Sequence, residues 1–140
     1  MTMADSVRKV RYSYVMVSNR AGAGAAVLAR LREAGVDLVA YSGFPAAGGK
    51  AQIDLVTDDF AGLRRAAKAG GWRLSAVKKG FLVQGEDRTG AVQRHLQKLA
   101  AKRISVVAAD AVAAGKGRYG MILWVKAKDY VRAARALGAR

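Results

Sequence analysis

The chain has 140 residues, 52% of them hydrophobic, and no cysteine, which supports a sizeable core and excludes disulfides, thiolate metal sites and cysteine nucleophiles. Its 25 Lys and Arg outnumber 10 Asp and Glu, giving a net charge of +15 that divides into +7 over residues 1–79 and +8 over residues 80–140. The charge therefore belongs to folded units rather than to a basic tail, and a nucleic-acid partner stays open. No apolar run reaches the roughly 18 residues that span a membrane, and the N-terminus lacks a signal-peptide core, so a cytoplasmic protein without a membrane partner is expected.

Residues 1–8 read as a frayed start. Val10 to Val17 is rich in β-branched and aromatic residues and reads as a strand. A glycine-containing turn, Asn19 to Gly24, precedes a helix over Ala25 to Ala34 with Val27, Leu28 and Leu31 at helical spacing and Gly35 as its stop. Val36 to Phe44 is a second strand, turning at Pro45 to Gly49 into an antiparallel strand from Ala51 to Thr57. Asp58 or Asp59 caps the next helix, with Phe60, Leu63 and Ala67 inward, and Gly70-Gly71 ends it. Trp72 to Val77 is a fourth strand. The order β-α-β-β-α-β is that of the ferredoxin-like unit.

The same succession follows again: a strand from Phe81 to Gly85, a helix from Thr89 to Lys102 with Val92, Leu96 and Leu99 inward, strands over Ile104 to Val112 and Tyr119 to Val125, and a helix capped by Asp129. Gly22 and Gly90 are 68 positions apart, as are Val15 and Val83, Leu28 and Leu96, Leu31 and Leu99, and Val36 and Ile104. This is an internal duplication. The fold class is α+β, with two ferredoxin-like units side by side, over residues 8–79 and 80–140. The second lacks a final strand of its own, so its sheet is either one strand short or completed by another segment. Homodimerisation is expected to cover the apolar outer face around Trp124.

Each copy has a polar, glycine-containing turn between its first strand and first helix: Asn19-Arg20-Ala21-Gly22 and Asp87-Arg88-Thr89-Gly90. N–H groups at a helix start are unpaired and partly positive, and glycine lets a ligand come close, so such a turn suits a carboxylate or phosphate. Asn19 and Asp87 read as caps for the helices or as partners for a ligand amine. The segments SNRAGAGAAVLARLREAGVDLVAYSGF and GEDRTGAVQRHLQKLAAKRISVVAADAV resemble the opening of ACT domains, with Ala21 and Thr89 where that family typically has proline. The resemblance covers nearly the whole chain as a tandem pair. It implies a non-catalytic regulatory protein that binds an amino acid or similar small molecule at these turns and at an interface between domains, without a cofactor. By matching position, it implies ligand contacts at Asn19, Arg20, Ala21, Gly22, Ala23 and Asp37, and at Asp87, Arg88, Thr89, Gly90, Ala91 and Ser105. Asp37 and Ser105 stand where the family often has Asn. The Asn19 turn is the preferred site, because the acidic Asp87 would repel a ligand carboxylate unless Arg88 compensates. Gly22→Val is expected to block the ligand while leaving the fold intact.

A second function class fits the charge. Tyr119 to Trp124, preceded by Lys116-Gly117-Arg118, echoes the aromatic strand of RNA-recognition domains, although both of its faces are apolar, which suits burial. Arg94, Lys98 and Lys102 form a basic stripe on one helix face. Catalysis has little support: His95 is the one histidine and has no evident triad, the acidic pairs read as caps, and no cluster has metal-ligand spacing.

Overall fold

A computed structural model describes residues 5–140. They divide into two compact units, one of Arg11–Lys78 and one that joins residues 5–10 to Lys79–Arg140. The strands are β1 (Ser6–Ser18), β2 (Ala40–Ala46), β3 (Lys50–Val56), β4 (Lys78–Glu86), β5 (Val106–Gly115) and β6 (Arg118–Val125). The helices are α1 (Ala23–Glu33), α2 (Phe60–Gly70), α3 (Ala91–Ala101) and α4 (Tyr130–Leu137).

Within Arg11–Lys78 the strand order is β2-β3-β1, all antiparallel, with Ile53 opposite both Val15 and Gly43. The alternation in β3 sends Ile53 and Leu55 into a core with Val15, Val27, Leu31 and Leu63 from β1, α1 and α2. Asp59 caps α2, its carboxylate accepting from the Gly62 N–H at 2.9 Å. The expected strand at Trp72–Val77 does not form a ladder. Its hydrogen bonds to β1 centre on Ser75, whose N–H donates to Tyr14 O and whose hydroxyl accepts from Tyr14 N–H. A serine that puts its side chain into the pairing replaces the next backbone bond and ends the register. β2 starts at Ala40 rather than Val36. The Val36 N–H closes the end of α1 on Leu31 O, and its side chain is in the core.

In the other unit the order is β1-β4-β6-β5, with Met121 opposite Val83 and Ala111. Each of these three residues lies 68 positions after its counterpart among Ile53, Val15 and Gly43, so the duplication holds to the register. The core combines Phe81, Val83, Leu99, Met121 and Leu123 with Ala133 and Leu137 of α4.

The strand that this copy lacks is supplied by the first half of β1. Val7 packs in its core, and Lys9 N–H and Val7 O bond Arg140. Of the expected frayed start, residues 1–4 lie outside the described residues, and residues 5–8 lead into a strand. Asp129 stands at the start of α4 without capping it, because its carboxylate binds Arg132 at 3.0 Å. Trp124, expected to need a second chain, is 6% exposed in one chain, with its indole against Gly80.

Leu31 and Leu99, equivalent by the repeat, are both fully buried. Leu31→Ala and Leu99→Ala should each lower stability by about 2–5 kcal/mol in urea unfolding. Leu28→Ala, at a residue 36% exposed, should cost about 1 kcal/mol or less.

Candidate functional site

The two strand-to-helix turns have one geometry. Asn19 N–H bonds Gly49 O at 2.9 Å, and Asp87 N–H bonds Gly117 O at 2.8 Å. Neither Asn19 nor Asp87 caps its helix. The caps are Gly22 and Gly90, with φ of 88° and 81°, and neither helix start has a side-chain acceptor. A β-branched residue is strained at such a φ, so Gly22→Val is not the fold-neutral change that the sequence suggests. The bare first turns keep their partial positive charge available, and Arg20 and Arg88 add a full one beside each.

A cleft opens beside each turn. In the first unit it measures 280 Å³ and is lined by Asn19, Arg20 and Ala23 from the turn, with Tyr41 and Phe44 from β2. In the second it measures 700 Å³, headed by Asp87, Arg88 and Gly90 and walled by Val92 and Leu96 of α3 and Ala111 and Val112 of β5. Two aromatic side chains of β2, Tyr41 and Phe44, line the first cleft where the second repeat has Ala109 and Val112. Tyr41 leans across the first cleft, its hydroxyl 3.1 Å from where a Cβ on Gly24 would sit. The repeat puts Ala109 at the equivalent position, and the second cleft stays open.

Of the residues singled out in the sequence, Asn19, Arg20 and Ala23 line the first cleft, and Asp87, Arg88, Gly90 and Ala91 line the second. Ala21, Gly22 and Thr89 are exposed on the turns but outside the linings. Asp37 and Ser105 are not brought to the turns of their own units. Ala40 pairs level with Tyr12 through Val56, whereas Ala46 is level with Ser18 through Lys50. Six residues of strand, about 20 Å, thus separate the Asp37 end of the first unit from the Asn19 end, and in the second unit Ser105 precedes Val106, at the opposite end of β5 from Gly115, which is level with Glu86 through Arg118.

A buried polar cluster lies behind the second cleft, and the sequence reading missed it. The Asp5 carboxylate, with its side chain 2% exposed, meets His95 Nε2 at 2.7 Å, Arg94 Nη2 at 2.5 Å and the Tyr119 hydroxyl. An ionised carboxylate only accepts, so His95 Nε2 and the tyrosine donate. Burial alone would raise the Asp5 pKa, but the bonds from His95, Tyr119 and Arg94 outweigh it and bring it down to about 2. Burial, then the bond to Asp5, pushes Tyr119 up to about 12. The signal lay in the repeat: 68 positions before Gly85, His95 and Tyr119 stand Val17, Val27 and Ala51, so three small or apolar positions have changed together.

The basic stripe on α3 is therefore interrupted, since Arg94 turns to Asp5. The rings of that strand are not available for base stacking either: Tyr119 and Trp124 are both buried. Among the described residues no three His, Cys, Asp or Glu gather to hold a metal, and no helix is long and apolar enough to cross a membrane.

The depressed Asp5 pKa stabilises the fold above the ordinary carboxylate value of 3.8. That contribution, roughly 2 kcal/mol, is lost as the pH falls from 3.8 towards about 2. Asp5→Asn should melt lower than the parent chain at neutral pH, with the gap closing across this acid range in thermal melts.

No family model matches the sequence, and no curated protein matches it. Solved structures do. Protein BT0572 from Bacteroides thetaiotaomicron aligns with a TM-score of 0.70 at 15% identity, over 94% of this chain and 88% of that one. The regulatory subunit of aspartate kinase from Thermus thermophilus aligns with a TM-score of 0.67 at 15% identity, over 98% and 96%. The same subunit from Thermus flavus aligns with a TM-score of 0.62 at 14% identity, over 99% and 95%. At these identities the likeness is one of fold, and it extends along nearly the whole of both chains. The chain carries the ACT-type fold of the aspartate kinase regulatory subunits.

Proposed function

We propose that the chain is a non-catalytic regulatory protein that binds an amino acid or similar small ligand, and that the Asp87 cleft is its principal site. The observation that carries this is the open 700 Å³ cleft, which joins an uncapped helix start and Arg88 to an apolar wall. A ligand carboxylate would sit at the start of α3 with Arg88, and its amine at Asp87. Its body would lie against Leu96, Ala111 and Val112. Regulation further requires that the ligand favour one assembly state. A homodimer is the simplest such state, and the edge strand β5, exposed along nearly its whole length, is open to a second copy. In this reading the remaining contacts, Asp37 and Ser105, would reach a bound ligand from a neighbouring copy.

Thermal melting against a panel of free amino acids tests the reading. A ligand at about 100 times its dissociation constant adds about 2.7 kcal/mol, a rise of several degrees for a chain of this size. Val112→Asp changes a residue that is 67% exposed on the cleft wall. It should remove the rise without changing the melt of the free protein. Tyr41→Ala should open the first cleft and move the stoichiometry from one ligand per chain towards two in titration calorimetry. A flat panel together with a salt-sensitive response to single-stranded RNA would move the function to the basic surface.

A further inference from the structure

Tyr119 belongs to two sites at once. It lines the open cleft, and its hydroxyl donates to the Asp5 carboxylate. Asp5 immediately precedes β1, whose Val7 packs into the core of the second unit. Gly85 is paired directly across the ladder from Tyr119, and a Cβ there would overlap the Asp5 carboxylate. Glycine inside a strand weakens it, so its presence at this point is accounted for by the seat it leaves for Asp5. His95 contributes a nearly fully buried donor to the same seat. Ala91, at the start of α3, lines the cleft, and its carbonyl lies 3.4 Å from the Tyr119 hydroxyl.

We infer that Asp5 and Tyr119 are positioning residues that couple occupancy of the second cleft to the docking of residues 5–10. An occupant that shifts the Tyr119 ring alters the bond that holds Asp5, and hence the grip on the first half of β1. Linkage makes the effect reciprocal: loosening Asp5 alters the cleft. The inference takes from the proposed function only the place of the ligand, not its identity. A flat amino-acid panel would therefore count against that function and leave this coupling standing.

The absence of cysteine supplies the test. Val112→Cys creates the sole thiol of the chain on the cleft wall, and N-cyclohexylmaleimide attached there is a tethered apolar occupant. Amide hydrogen exchange is then followed at Val7 to Val10. The label should change exchange there by about threefold or more, and adding Tyr119→Phe should abolish the response. The same label on Val131→Cys, at an exposed α4 residue outside the cleft, should have no effect at Val7 to Val10. In the reciprocal arm, unlabelled Asp5→Asn should speed exchange at Ala91 to Gln93. The coupling is overturned if the Val112 label leaves Val7 to Val10 unchanged, or if their response survives Tyr119→Phe. It is equally overturned if Asp5→Asn leaves Ala91 to Gln93 as they were.

Discussion

A single strand of 13 residues serves both repeats, and the two compact units depend on it. A βαββα unit of about 70 residues has little surface to bury and is marginal alone. Among the described residues the second repeat has no strand after α4. The first half of β1 fills that place and brings Val7 into the core, while the second half brings Val15 into the core of the first repeat. The chain thus enters the second unit, leaves it to build the first, and returns to it at Lys79.

The duplication preserves backbone and diverges in side chains. The central ladder positions keep their register across the repeats, with shifts only towards the two ends of β5, and both turns keep a left-handed glycine at the helix start, because these features set the path of the chain. The clefts beside the turns are not under the same constraint. Tyr41 narrows one, and Ala109 leaves the other open. A side chain of the protein thus takes up space in the first repeat that is free for a ligand in the second. The fold is that of the aspartate kinase regulatory subunits.

The polar cluster follows the same logic. A histidine, a tyrosine and a glycine replace a valine, an alanine and another valine, and together they receive a carboxylate from a segment more than 70 residues away. A buried charge is costly unless it is partnered, and Asp5 has His95 and the Tyr119 hydroxyl on one carboxylate oxygen and the Arg94 guanidinium as an ion pair at the other. Such an arrangement fixes the register of the N-terminal strand more sharply than apolar packing, since a one-residue slip would strand the carboxylate.

The sequence by itself determined the periodic elements: α1 and α3 with an inward leucine each, the alternation of β3, an aspartate cap for α2 at Asp58 or Asp59, and the 68-residue repeat that announces two like units with like turns. Those are local properties, written in spacing and in turn chemistry. It also singled out Asp87, Arg88, Gly90 and Ala91, which line one cleft. Tertiary structure alone decided that Asp37 and Ser105 lie at the far ends of their strands, that Ser75 interrupts a strand, and that Trp124 is buried. It alone brought Asp5 to His95 and Tyr119, and set Tyr41 across one cleft but not the other. Each of these depends on which distant segment a side chain meets, and neither propensity nor spacing along one chain encodes that.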